Sequence, residues 1–399
     1  MPKNIIITES KLRLLWDKLL NEVVGVPDNI LETGEEIYDE ILFELDQIDD
    51  VEDEYDFEIE GDFRISDVEF KKLNINLIVV EDSDLDEPNL VSMGFGLASQ
   101  MHRDTYRLHH TFDDDVALQI QVAMPENWDP QSLKQFVKDE KIEFLSSLSH
   151  ELMHSYSFRK EGSTSSKEQA KYRTYSDVRV GIPPIDKFVF ALYFTHSIEN
   201  LVRPVELASQ LKSHNVTKKE FYDFFTKTKL YEFLKSIQTE TYEDLRNEIK
   251  TFLSQLRDYL RDEKGIDDID EKSDDEVVDI VLDLTYEVIS KTTAGQMHQM
   301  LVNSPIEMLI GFVGEKDKFF RRFLREITKY DNGLEFFQAQ FEFFRDISTK
   351  MIKKLAKLYS IRPDKKDETN ESKSIHNWDL HHKYRGTKKL FPIKRKTTT

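Results

Sequence analysis

Cysteine is absent from the 399 residues. That excludes disulfides, thiolate metal sites and cysteine nucleophiles together, so any metal here must be held by histidine and carboxylate. Long apolar runs are missing as well. No stretch approaches the roughly eighteen consecutive apolar residues of a membrane-spanning helix, the longest candidate being the mixed segment from Phe188 to Phe194. The N-terminus, MPKNIIITESKLRLLW, has a short apolar run without a small-residue cleavage site, and charged residues follow at once. It does not read as a signal peptide, and the expectation is a cytoplasmic chain with no membrane partner. Positive charge is in deficit: 55 Lys and Arg against 76 Asp and Glu give a formal net charge of −21. That balance argues against a nucleic-acid binder, whose phosphate contacts need clustered cations.

What is present is the composition of a soluble globular protein, 39% hydrophobic and 33% charged, with no internal repeat. Charge is unevenly spread. Acidic residues concentrate between Glu32 and Asp62, whereas from Lys383 onward the chain is basic and carries no acidic residue. The basic end is a candidate contact for an acidic surface, its own or an assembly partner's.

Residues 10–24 place Leu12, Leu15, Trp16, Leu19, Leu20 and Val23 at spacings of three and four, which predicts an amphipathic helix; Ile37, Ile41, Leu42, Leu45 and Ile48 predict a second. Between 56 and 124 the period falls to two. The stretches 67–80 and 116–123 alternate and predict a small antiparallel sheet. Helical period returns over 131–156. Residues 159–184 are polar, with Gly and Pro, and predict a long surface loop. From 185 to 211 the chain is helical again, with Pro204 predicting a kink or a break. Helices follow through most of 218–361. The last carries a stripe of Phe337, Phe341, Phe344, Met351, Leu355 and Leu358, read as a core face rather than a partner seam. After Pro363 the composition is that of a disordered tail. The fold class expected is α+β, with four parts: an acidic helical segment at 1–55, a domain at 56–215, a helical region at 216–362 and a basic tail at 363–399.

Chemistry concentrates in SHELMHSY, residues 149–156, where His150-Glu151-Leu152-Met153-His154 reads H-E-x-x-H. Residues four apart share one helix face, so both imidazoles can reach a single ion. A catalytic zinc takes three protein ligands and a water, and Glu151 would stand beside that water as a base. Apart from Glu151 and the histidines, residues 144–158 are uncharged, the composition of a helix crossing an interior. A lone buried glutamate is costly unless a cation accompanies it.

The motif resembles that of the zincin metallopeptidases, and among them the gluzincin-like group, whose third zinc ligand is a glutamate on a later helix. The resemblance covers the helix at 131–158 with the sheet before it, the loop, and the segment at 185–211. The metzincin continuation is missing, since Ser157 and Lys160 stand where its glycine and third histidine would fall. In THSIENLVRPVELASQL the third-ligand candidates are Glu199, Glu206 and His196. Glu206 is preferred, because Pro204 to Leu211 resembles the short helix of a glutamate and small residues found downstream of such histidine pairs, with Ala208 and Ser209 permitting close approach. Glu199 is the alternative. The related pattern puts an aspartate four residues after the ligand, and Arg203 stands there instead. His196 reads as a helix-surface residue or one behind the ligands, in a position to steady an oxyanion.

The resemblance thus implies a zinc-dependent peptidase acting on protein or peptide substrates, with His150, His154 and Glu206 on the metal and Glu151 as general base. Substrate would lie along the sheet edge and the 159–184 loop. The alternative is a zincin-like metal-binding structural or interaction protein without turnover, and a helical scaffold with an accidental motif is the third reading. The opening IIITESKLRLL resembles that of many tailed-phage proteins, which implies a phage-encoded peptidase or a virion component. Elsewhere, His109 and His110 sit near a predicted strand, where neighbours face opposite ways. His376, His381 and His382 fall in the tail, and Asp113 to Asp115 read as a turn.

Overall fold

The computed structural model describes residues 25–361 apart from 28, 51, 97–98, 103–106, 111–114, 162 and 303–328. The helical pattern at 10–24, Asp113, Asp114 and the whole tail with its three histidines and basic run therefore lie outside the described residues.

The chain is α+β, with strands in its first third and helices after them. Helix α1 (Ile30–Leu45) leads into strands β1 (Glu54–Ile65), β2 (Val68–Glu81), β3 (Asn89–Gly96), β4 (Ser99–His102), β5 (Arg107–His110) and β6 (Asp115–Met124). Alternation gives β2 and β6 one buried face: Leu73, Ile75, Leu77 and Val79 meet Leu118, Ile120 and Val122 beneath the helices, while Asn74, Asn76 and Gln119 face outward. The order across this sheet is β1-β2-β6-β3. It is mixed rather than antiparallel. β1 and β3 run against their neighbours, but β2 and β6 are parallel, with Leu73 opposite Val116 and Val79 opposite Val122. The reason is topological: three strands intervene between β2 and β6, so the chain returns to the same end before β6 begins. β1 and β3 are left as the edge strands.

The Asp129 side chain caps α2 (Pro130–Asp139), accepting from Ser132 N at 2.6 Å, and α3 (Lys141–Glu161) follows directly. Strand β7 (Ser163–Ser165) pairs with β5 in a second small sheet of order β4-β5-β7. Helix α4 (Ser166–Asp177) then occupies most of the stretch expected to be a loop. Its polarity misleads because SKEQAKYR is made of good helix formers, and only a narrow face, with Ala170 and Thr174, is buried.

Helices α5 (Pro183–Phe194) and α6 (Ser197–Ser213) break at Thr195 and His196, not at Pro204, which sits inside α6. Pro204 leaves the Asn200 carbonyl without its helical donor. Lys354 Nζ reaches across from the C-terminal helix to donate to that oxygen at 3.3 Å.

Helices α7 (Phe221–Phe225), α8 (Lys229–Thr239), α9 (Tyr242–Lys250), α10 (Leu253–Asp262), α11 (Asp274–Val302) and α12 (Gly333–Ala356) complete the helical part. The aromatic stripe on α12 is core: Phe337, Phe341 and Phe344 are buried and close around Phe188 of α5. Gly333 lets α12 start against the backbone of α11, since a Cβ there would stand 2.5 Å from the Leu282 carbonyl oxygen. Among the described residues no helix is long and apolar enough to cross a membrane.

Candidate metal centre

Helix α3 packs between α1 on one side and α6 on the other. Leu148, Leu152, Met153 and Tyr156 are buried around it, which explains why its sequence is uncharged. α6 lies antiparallel to α3: Ser146 meets the Glu206 carbonyl and Gln210, while two turns later His154 meets Glu199. Val205, Leu207, Ala208 and Leu211 are fully buried on α6.

That register builds one polar cluster in the helical interior. His150 Nε2 and His154 Nε2 stand 3.1 Å apart. Glu199, with no exposed side-chain surface, faces both, placing Oε1 3.2 Å from His154 Nε2 and Oε2 3.5 Å from His150 Nε2. These three residues form a group able to hold a metal ion. The geometry can be tested against zinc. Four ligands at 2.0–2.1 Å in a tetrahedron lie about 3.3–3.4 Å from one another; the two Nε2 atoms are 3.1 Å apart, and the Glu199 carboxylate reaches one histidine with each oxygen, at 3.2 and 3.5 Å. Two imidazoles and one carboxylate are also a donor set that suits zinc.

Glu199, rather than Glu206, therefore joins the histidines. Glu206 approaches the far side of His150, with Oε2 3.5 Å from Nδ1. The antiparallel crossing explains the difference. Glu206 is level with Ser146 and His150, and its carboxylate meets the ring edge turned away from His154. Glu199, two turns earlier on α6, is level with both rings. Arg203, which in sequence counted against Glu199, lies between the two carboxylates and donates to Glu199 Oε2 at 2.5 Å and to Glu206 Oε2 at 2.8 Å. Its guanidinium carbon sits 4.3 Å from the centre of the Phe194 ring.

Burial alone would raise both carboxyls, but their partners outweigh it. Hydrogen bonding to His154 and the charges of Arg203 and the histidines hold Glu199 well below the ordinary carboxylate range. Arg203 and His150 hold Glu206 at about 2. Both are thus anionic at neutral pH.

Two tyrosines complete the cluster, and the sequence reading missed both. Tyr172, from α4, donates to Glu199 Oε1 at 2.8 Å, and its hydroxyl is 3.3 Å from that of Tyr193 on α5. Burial first, then the neighbouring Glu199 charge, pushes the Tyr172 hydroxyl far up, so it remains a donor. The available signal was the helix-forming composition of 166–177. His196 is not a ligand and is buried rather than on the helix surface. It caps α6, its Nδ1 accepting from Ile198 N at 3.4 Å, and its Nε2 lies 3.2 Å from Glu168 Oε2. Of the remaining histidines, His109 and His110 belong to β5, paired with Gln100 and Ser99 of β4.

The cluster borders a cleft through His150. A cleft of about 1230 Å³ is lined by His150, Glu151 and Glu206, by the first turns of α3, and by Leu90 to Met93 of edge strand β3. His154 and Glu199 lie behind, away from that lining. Glu151 is partly exposed there, its Oε1 3.8 Å from His150 Nε2. Compared with known proteins, no family model matches the chain, and neither a curated protein nor a solved structure matches it.

Proposed function

We propose that the chain is a zinc-dependent metallopeptidase in which His150, His154 and Glu199 hold the metal and Glu151 is the general base. The observation that carries this reading is the joint position of the four side chains. Three inward-facing side chains place donor atoms within 4.8 Å of one another, and the Glu151 carboxylate is on the cleft side of them. Bound zinc would supply Lewis acidity, polarising a substrate carbonyl and making a water acidic enough to lose a proton near neutral pH. Glu151 would accept that proton and pass it to the departing amine, which requires a carboxylate beside the ligands and open to the cleft.

Edge strand β3 supports a peptide as the substrate. Among the described residues it is bonded to β6 alone, lines the cleft with Leu90 to Met93, and offers its other backbone edge to an extended chain. Substrate would thus lie along β3, as the sequence reading expected for the sheet edge, with helix α4 rather than a loop backing the site.

One observation favours the alternative of a metal-binding or purely structural cluster without turnover. Arg203 already pairs with both Glu199 and Glu206, so neither carboxylate is left without a cationic partner when no metal is bound. Elemental mass spectrometry of the purified protein separates the readings. Near one zinc per chain, lost in His154→Ala, with peptide hydrolysis abolished in a Glu151→Gln variant that still holds the metal, is the expected result. Absence of metal after zinc is supplied would overturn the proposal.

A further inference from the structure

The walls of the cleft away from the metal group carry an uneven charge. Asp139, Glu140, Glu143, Glu220 and Asp223 line them together with Lys227, Lys229 and His214, while Arg203 lines the cleft beside Glu206. Lys227 is paired with Asp223 at 2.8 Å. The Glu220 carboxylate accepts from Thr217 N and Oγ1, neutral donors that leave its charge uncompensated. Glu140 and Glu143 are exposed and have no ion-pair partner among the described residues. Five carboxylates therefore share these walls with two ammonium groups, and an excess of negative charge on a concave wall concentrates its field in the space between.

Spacing along α3 gives this charge a position. Glu143 precedes His150 by two turns, about 10 Å along the axis, and an extended peptide covers that distance in about three residues. Glu140 lies about 15 Å from His150 on the same measure. Between the acids stand apolar surfaces: Leu90 and Met93 on β3, Ile142 on α3, and Phe190, Phe224 and Leu230 opposite.

We infer that the cleft selects cationic extended peptides, with Lys or Arg about three to five residues from the bond at the histidine cluster and apolar side chains between. This rests on the peptidase reading for the identity of the site, but the selection itself is a binding property and requires no turnover.

The test uses three fluorescein-labelled peptides of one length and one apolar core, flanked by Lys, Gln or Glu. They are titrated by anisotropy into the full chain carrying Glu151→Gln, with zinc present. The Lys-flanked peptide is expected to bind about tenfold more tightly than the Gln-flanked one, with the Glu-flanked one weakest. The differences should shrink as salt is raised. Reversing the wall with Glu140→Lys and Glu143→Lys, both at exposed positions, is expected to erase or invert the order. Three affinities within twofold of one another, no binding by any of them, or an order unchanged by the reversal would overturn the inference. Hydrolysis by wild type that ignores flanking charge overturns this inference and leaves the peptidase reading intact. Charge-ordered binding without any hydrolysis does the opposite.

Discussion

Glu199→Gln and Glu206→Gln make the sharpest comparison the site offers, because each keeps the side-chain volume and removes one negative charge. Glu199 accepts from Tyr172 through Oε1 and from Arg203 through Oε2, and those same oxygens face His154 and His150. A glutamine there must turn its NH2 toward a donor on one side, and it withdraws the anionic member of the ligand set. Glu206 touches only the Nδ1 edge of His150 and Arg203. Partners behind metal ligands are worth about 10–100-fold in affinity, or about 1.4–2.7 kcal/mol. Glu206→Gln should therefore bind zinc within that range of wild type, whereas Glu199→Gln should lose more than about 100-fold. The assay is competition for zinc against a chromophoric chelator, with circular dichroism on the metal-free proteins to separate ligand loss from unfolding. Breaking a buried ion pair costs about 3–5 kcal/mol, so the metal-free Glu199→Gln protein should also melt earlier than wild type. If it does not fold, Glu199→Asp, which keeps the charge and shortens the reach, is expected to weaken zinc while restoring the melt. Zinc retained by Glu199→Gln and lost from Glu206→Gln would refute the assignment and restore the preference drawn from sequence.

Glu151→Gln should retain metal at wild-type stoichiometry and lose at least about 100-fold in peptide hydrolysis; equal rates would remove Glu151 as the base. Gly333→Ala would drive a Cβ into the Leu282 carbonyl, where backbone rather than a flexible side chain must yield. Thermal denaturation should register a loss of about 1–3 kcal/mol. Lys354→Met would strand the Asn200 carbonyl that Pro204 leaves free, at a cost of about 1 kcal/mol in chemical denaturation. That cost should largely vanish in a Pro204→Ala background, where the helix supplies its own donor, and an undiminished cost in the double variant would contradict the account.

Fold class was legible because the two periods are strong where they occur. Alternation in 67–80 and 116–123 marks two strands that the structure extends only to Val68–Glu81 and Asp115–Met124, and the stripe on α12 is buried as its spacing implies. Strand direction was not legible. A period of two says which face a strand buries and nothing about which end the chain returns to, so the parallel pairing of β2 with β6 needed the intervening strands to be placed. Helix α4 was hidden for a different reason. Its polar surface dominates a composition reading, although Lys, Glu, Gln, Ala and Arg favour helix. No break occurs at Pro204, because the helix continues through it and the carbonyl it frees finds Lys354, 154 residues further along the chain.

The histidine pair and Glu151 could be read from one helix, because i and i+4 fix their common face without help from the rest of the molecule. The acid that joins them could not. Glu199 and Glu206 are seven residues apart on α6, close to two full turns, so any argument from the face of that helix treats them alike. Only the height at which α6 crosses α3 distinguishes them, and that height is set by contacts with no motif: Ser146 against the Glu206 backbone and Gln210, and the buried Val205, Leu207 and Leu211. Charge spacing held a clue of another kind. Glu199, Arg203 and Glu206 stand at i, i+4 and i+7, so one arginine can reach both carboxylates. An arginine so placed on a helix that buries its apolar face predicts two inward acids held as anions. Glu199 and Glu206 could therefore trade positions only if the crossing of α3 and α6 shifted by about two turns, a change that would break the contacts of Ser146 with the Glu206 carbonyl and Gln210 and put larger side chains in the place of the buried Ala208.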